Sequence, residues 1–441
     1  MVEAKTKVKR YDTYKNSSVE WLGEIPEHWE VLANKHIFSL KKNQVGKKSD
    51  DYDLLSLTLK GVVVRNLENG GKFPAEFDTY QEVKKGDFVF CLFDVEETPR
   101  CVGLSDFDGM ITGAYTVMEP NENFDKRFLY HYYLNLDADK RMKPLYTGLR
   151  NTISKDNFFA FKTFVPPLKE QTKIAEFLDD KATKIEDAIT IKEQQINLLK
   201  ERKQILIHKA VTQGLNPNVT LKDSGVEWIG KIPKHWEVKR FRYVFNLGKG
   251  LTITKENLRD EGVYCVNYGE IHSKFGFELD TKIHKLKHVD KEYLESDPRA
   301  LIKNGDFVFA DTSEDIEGSG NFTYLKSEDE IFAGYHTVVA KPKFEIVSRF
   351  FAYIFESESF RNQIRTKVKG VKVFSITQSL LKQPTVWFPS KKEQKEIINY
   401  LDSGAKKIET AINLKLQEIE KLKEYKSSLI NSVVTGKVKV C

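Results

Sequence analysis

Histidines 284 and 288 stand four residues apart in the run KIHKLKH, a spacing that would put two imidazoles on one face of a helix, where metal ligands often sit. No glutamate lies between them and no third ligand is near, so the run reads as a solvated basic face. Paired carboxylates able to act as acid and base occur at Asp94-Val95-Glu96-Glu97 and at Thr312-Ser313-Glu314-Asp315. Each run follows a GDFVF sequence, but the two do not match one another, and they read as surface loops. The chain has no G-x-x-x-x-G-K-[ST] phosphate loop. Gly318-Ser319-Gly320 is too short for a dinucleotide-binding turn. An amino-methyltransferase should carry Asn/Asp-Pro-Pro-aromatic; the nearest run, Asn216-Pro217-Asn218, falls at a helix-ending turn. These residues assemble no catalytic or metal constellation.

Basic residues interleaved with aromatics are the remaining chemistry. Arg65 and Lys72 lie in the first half, and Lys249 and Lys274 in the second. Arg141, Lys143, Arg150 and Lys155 surround Gly148, while Arg361, Arg365, Lys367, Lys369 and Lys372 surround Gly370. Such clusters suit phosphate contact, with Asn, Gln and Arg able to reach base edges. The net charge of +6, from 70 basic against 64 acidic residues, permits nucleic-acid binding without demanding it. The 29 Phe and 18 Tyr require packed domains and exclude a disordered chain. No stretch has the ~18–20 apolar residues of a membrane span, and the basic N-terminus lacks the apolar core of a secretory signal. Cys91, Cys101, Cys265 and Cys441 share no repeated spacing, which fits a reduced, cytoplasmic protein.

The elements that must position these residues are written twice. SSVEWLGEIPEHWEV at 17–31 and SGVEWIGKIPKHWEV at 224–238 agree at eleven of fifteen positions. KKGDFVF at 84–90 answers KNGDFVF at 303–309, and 170–212 matches 393–435 at about half of all positions without a gap. The chain is a tandem duplication: a tail with the first Trp box (1–31), a body (32–165), a helix (166–215), a linker with the second box (216–238), a second body (239–388) and a final helix (389–441). The bodies differ almost everywhere except GDFVF and a helix-like stretch beginning at Arg127 and Arg349. Two bodies sharing a frame but differing in surface point to related tasks with different targets.

The long segments carry a heptad stripe. Leu178, Ile185, Ile189, Ile196 and Leu199 lie on the first, and Leu401, Ile408, Ile412, Ile419 and Leu422 on the second. Lys192 and Lys203 fall on the same stripe as Lys415 and Lys426, where they either fix register or snorkel to water. Pro166 and Pro167 precede the first helix, Ser390 with Glu393 has a capping-box pattern, and Gly214 and Gly436 close the pair. At ~1.5 Å per residue each helix is roughly 50–60 Å long. Connectivity favours an antiparallel pair with a body at either end. The fold class is α+β: two globular α/β domains separated by a long antiparallel two-helix coiled coil with pseudo-two-fold symmetry.

The arrangement resembles the DNA-specificity subunit of type I restriction–modification systems. VEWLGEIPEHWEV, VEWIGKIPKHWEV, GDFVF, TGLRNTISKDNF before FVPPLKEQ, and FPSKKEQ carry the resemblance over the chain from about residue 17. It implies that each body is a target recognition domain reading half of a bipartite double-stranded DNA sequence. It also implies that two methyltransferase subunits dock on the assembly and that restriction/translocase subunits join later. S-adenosylmethionine, ATP and Mg are then expected only in those partners. Gly148-Leu149-Arg150 matches the family's G-x-x-R pattern, whereas the second body has Gly370-Val371-Lys372 and one extra residue before Ile376. Lysine lacks the bidentate fork of arginine, so an equivalent contact there is in question.

A self-contained DNA-modifying enzyme would need a cofactor loop or metal cluster. A protein-only coiled-coil scaffold would not bind DNA at moderate salt. The reading that remains is a non-catalytic DNA-binding adaptor whose helices set the gap between half-sites. Inserting four residues near Lys192 lengthens that helix by about 6 Å, and the preferred spacer should grow by one or two base pairs with both half-sites unchanged. Methylation-site mapping of the insertion variant checks this; an unchanged spacer in an active complex removes the helices as the ruler.

Overall fold

A computed structural model of the chain describes residues 9–19, 22–66, 76–370 and 372–440. Trp21, Lys72, Val371 and Cys441, each part of the expectations above, lie outside the described residues. The chain divides into two units, residues 1–192 with 416–441 and residues 193–415. This partition differs from the linear order of segments. It cuts both long helices, because the start of one helix and the end of the other pack with the same body.

In unit one the strand Glu30–Ala33, directly after the Trp box, pairs antiparallel with Lys162–Val165, directly before the long helix. The body is built on a four-stranded antiparallel sheet in the order Phe38–Leu40, Thr116–Pro120, Phe88–Phe90, Val102–Leu104. Unit two repeats the plan: Glu237–Arg240 pairs with Thr385–Phe388. Its sheet runs Phe245–Lys249, Thr337–Pro342, Phe307–Ala310, Phe322–Leu325, with Phe277–Leu279 added in parallel at the edge.

GDFVF supplies an inner strand of each sheet. Gly86 and Gly305 take φ near +90°, the third position of a tight turn. Asp87 and Asp306 then accept from the backbone N–H of Lys84 and Lys303. Alternation along the strand sends Phe88 and Phe90 to one buried core and Val89 to another. Phe307, Phe309 and Val308 are divided the same way. A strand buried on both faces tolerates little change, which is why both copies keep it.

Over that sheet lies α1 (Lys126–Ala138), started by Asp125, whose side chain accepts from the N–H groups of Arg127 and Phe128. Phe128, Leu129, Tyr132, Tyr133 and Leu136 form its buried face. The first long helix, α2, is Leu168–Gln213; the body helix of unit two, α3, is Ser348–Glu356; the second long helix, α4, is Lys391–Val434.

The second tryptophan of each box is the anchor. Trp29 and Trp236 are fully buried, while Trp228 is exposed. Trp29 Nε1 donates to Glu170 Oε1 at 3.1 Å and His28 Nε2 lies 2.8 Å from Glu170 Oε2, at the start of α2. Trp236, His235 and Glu393 repeat both distances at the start of α4. Ser390 does accept from Glu393 N–H at 3.4 Å, so half of the expected capping box forms. The Glu393 carboxylate goes to the indole instead, because a buried N–H needs an acceptor more than an exposed helix end does. The far helix ends against the same rings. A Cβ on Gly214 would meet Glu393 and Trp236, and one on Gly436 would meet Pro26 and Trp29. Both glycines have φ of +73°, closing the helices as expected.

Within each unit the long helices run antiparallel. In unit one Lys192 pairs with Glu418 and Lys426 with Glu186, both at 2.6 Å. In unit two Lys203 reaches Glu409 at 2.8 Å while Leu206 packs at Gly404. Leu178, Ile185, Ile189, Ile196, Leu401, Ile408 and Ile419 are buried, and Leu199, Ile412 and Leu422 half-buried. Lys192, Lys203 and Lys426 are half-buried in the seam and pair with glutamates of the opposite helix, each pair contributing about 0–1 kcal/mol.

Trp236→Phe keeps an aromatic ring but removes the donor to Glu393. It should cost about 2–3 kcal/mol, the hydrogen bond to a charged group plus a small cavity. Denaturant unfolding of the full chain measures it, and Trp29→Phe should behave alike; a loss below about 0.5 kcal/mol in both would remove the lock from the stability argument.

Candidate nucleic-acid interface

A carboxylate on each long helix holds the body helix above it. In unit one Asp179 accepts from His131 Nε2 at 2.7 Å and from Arg127 at 3.2 Å. The hydrogen bond from His131, opposed by burial and helped by the charges of His131 and Arg127, keeps the Asp179 carboxyl below its usual range. In unit two Asp402 takes the same place, accepting two 2.9 Å bonds from Arg349 Nε and one of 2.5 Å from Tyr353. Arg349 also contacts Glu278 and Tyr324.

With the body fixed at its base, two loops converge at another edge. Tyr146–Thr147 and Thr152–Ile153 form a hairpin whose tip is Gly148-Leu149-Arg150-Asn151. Leu149 is fully exposed and Arg150 is exposed. The tip is braced on the loop that follows GDFVF: Asp94 N–H donates to Arg150 O at 2.9 Å, Val95 N–H to Asn151 O at 3.3 Å, and Asn151 Nδ2 to Glu97 at 3.2 Å. Asp94 and Asn151 both have φ of +45°, a left-handed conformation that Asp and Asn adopt more readily than most residues.

Unit two brings the corresponding segments together differently. Thr312–Ser313 pairs directly with Phe374–Ser375, and no separate hairpin forms among the described residues. Ile376 N–H donates to Asp311 O at 2.7 Å, as Ile153 N–H donates to Leu92 O at 2.8 Å. Counting back from those isoleucines, Val373 and not Lys372 occupies the place of Arg150; the extra residue shifts the register. The carboxylate runs at 94–97 and 312–315, read above as surface loops, thus lie on corresponding loops of the two frames, although they begin at the fourth and the third residue after GDFVF.

The sequence-selected cations divide into two groups. Lys143, Arg150 and Lys155 flank the unit-one hairpin and are exposed, with Lys143 reaching Glu96 at 3.4 Å. Lys369 and Lys372 are exposed on the loop before Phe374. Arg65 ends a different hairpin, after Gly61–Val64. Lys249 ends the strand Phe245–Lys249 and Lys274 caps the short helix Tyr268–Ser273, both exposed. Arg141 is committed elsewhere: it pairs with Asp139 and donates to Asn431 of α4 at 2.7 Å, which ties body to helix. Arg361 and Arg365 are likewise engaged, with Glu356, Asn321, Glu358 and Glu317.

Among the described residues no group of three or more His, Cys, Asp or Glu is placed to hold a metal ion. His284 Nδ1 accepts from Asp280 N–H, and His288 stacks on Tyr264. Cys91, Cys101 and Cys265 are buried free thiols, and burial pushes Cys101 up to about 12, far from a reactive thiolate. No helix among the described residues is long and apolar enough to cross a membrane.

Residues 100–201 and 233–421 match the family described as type I restriction modification DNA specificity domain. The chain belongs to this family. Among the specificity subunits it resembles is that of the type I restriction enzyme MjaVIII of Methanocaldococcus jannaschii, 26% identical over 75% of each chain. A second, the putative MjaX specificity subunit of the same organism, is also 26% identical and covers 95% of this chain and 96% of its own. A chain solved in work on complex assembly and conformational transition of the type I R-M system shares the fold. Its TM-score is 0.66 at 13% identity, over 93% of this chain and 98% of that one. Function in this family is specificity: the subunit recognises DNA sequence and is itself non-catalytic.

The two arginines of unit one should separate cleanly. Arg150→Ala should leave thermal stability unchanged, weaken DNA binding at all sequences alike, and reduce the slope of log affinity against log salt by about 1. Arg141→Ala should lower the melting temperature and leave that slope alone. Loss of stability on Arg150→Ala would place it in the frame instead.

Proposed function

We propose that each body reads one half of a bipartite sequence in double-stranded DNA and that the chain directs separate methyltransferase and restriction subunits to it. The observation that carries this reading is the convergence, at the same place on two like frames, of exposed loops whose residues differ. One frame then serves two targets. Lys143, Arg150, Lys155, Lys369 and Lys372 supply phosphate contacts close to those loops.

The long helices are the platform. They form an antiparallel coiled coil, with the duplicated halves related by a pseudo-two-fold, and two methyltransferase subunits dock on it. Exposed apolar side chains on the helices support a protein partner: Ile191, Leu416 and Tyr425 in unit one, and Leu198, Ile205 and Leu414 in unit two. S-adenosylmethionine, ATP and Mg belong to the partner subunits, and the complex works in the cytoplasm.

Replacing residues 32–165 by the first body of a relative with another target tests the reading. Methylation-site mapping should show one half-site changed and the other kept, while the purified chain alone binds DNA in a salt-dependent way and methylates nothing. A swap that alters both half-sites together contradicts separate readers.

A further inference from the structure

Unit two carries a cleft of about 840 Å³ beside its converging loops, lined by Tyr268, His272, Thr312, Glu314, His336 and Val373 among others. One wall is rigid. His272 Nε2 donates to Thr312 O at 2.8 Å, so its Nδ1 accepts from the Asn321 amide, also at 2.8 Å. Asn321 in turn accepts from Arg361 at 2.6 Å, and Arg361 is paired with Glu356. His336 stands at the opposite wall, more than half exposed. Its Nδ1 lies 3.3 Å from Asp311 Oδ1, and its ring meets Tyr268 edge-on at 5.2 Å. No hydrogen bond reaches its Nε2 among the described residues.

His336 takes φ of +54°, a left-handed conformation that His, like Asn and Asp, adopts more often than most residues. One further observation separates it from an ordinary surface histidine: the frame position differs between copies. Phe90 pairs with Thr116 and Phe309 with Val338. Two steps beyond each pairing, Leu92 and Ala114 in unit one stand where Asp311 and His336 stand in unit two. The frame is held without an imidazole there, so the Asp–His pair belongs to what distinguishes the two bodies.

We propose that His336 is a specificity-determining residue of the second body, reading a base edge of duplex DNA presented to this cleft; this rests on the DNA-reading function proposed above. Asp311 holds the Nδ1–H and so fixes the tautomer, leaving the Nε2 lone pair as an acceptor. In the major groove its complement is an exocyclic amino group, adenine N6 or cytosine N4. Tyr268 and the His272 wall limit how the ring can turn. Asp311 acts as the positioning residue.

Selection of bound duplexes from a randomised pool by the purified full chain, followed by sequencing, tests this. Wild type should enrich a bipartite site. His336→Ala should lose discrimination at one base pair of one half-site, by about 5-fold, the low end expected for a single contact, with the other half-site intact. His336→Gly, which takes φ +54° without steric cost, should stay folded and show the same loss. If alanine unfolds the chain, the glycine variant is read in the same way. Unchanged discrimination in a folded variant overturns the proposal, as does loss of both half-sites together. Wild type that enriches no site counts instead against the DNA-reading function itself.

Discussion

A buried indole N–H must find an acceptor, and each unit answers with the glutamate in the first turn of a long helix. Glu170 and Glu393 sit where a helix N-terminus favours negative charge, and each spends its two oxygens on one tryptophan and one histidine of the Trp box. That single carboxylate fixes the box, the start of its helix and, through the ring, the end of the other helix at Gly436 or Gly214. Three segments far apart in sequence are thus one structural element. They were duplicated and kept together because a change in any one leaves the other two without a partner.

From that junction the body is carried on a second contact of the same kind, Asp179 to Arg127 or Asp402 to Arg349. Here the copies have begun to differ: His131 in one is Tyr353 in the other, and both donate to the carboxylate. The constraint is on a donor reaching that oxygen, not on a residue type. Above it the aromatic core and the doubly buried GDFVF strand hold the sheet. The edge loops anchor in that core through Leu92, Val95, Ile153 and Ile376, while Leu149, Arg150 and Val373 between them are exposed. They are free to diverge, which is the property a recognition surface needs.

The parts legible from sequence are those where residue identity and spacing carry the physics. The heptad stripe gives helices Leu168–Gln213 and Lys391–Val434, and the terminal glycines give their ends. What sequence could not supply was the partner of a charged group. Arg141 has the composition of a phosphate contact, yet its guanidinium is held by an asparagine 290 residues away. Glu393 has the spacing of a capping box, yet the indole competes for its carboxylate and wins. The carboxylate loops share no residue pattern, and their correspondence shows only in the backbone contacts each makes, Asp94 N–H to Arg150 O and the pairing of Thr312 with Ser375.

The modest net charge follows from the same division of labour. Lysines on the helix seam are matched by glutamates across it, and Arg349, Arg361 and Arg365 are neutralised inside unit two. Exposed cations remain elsewhere, among them Arg150, Lys369 and Lys372 on the loops around Gly148 and Gly370. Three of the six non-glycine residues with positive φ among the described residues, Asp94, Asn151 and His336, lie beside those loops. Under the DNA-reading function proposed above, carboxylates at 94–97 and 314–315 beside exposed cations repel a misplaced phosphate, so that attraction to the backbone depends on the bases being presented correctly.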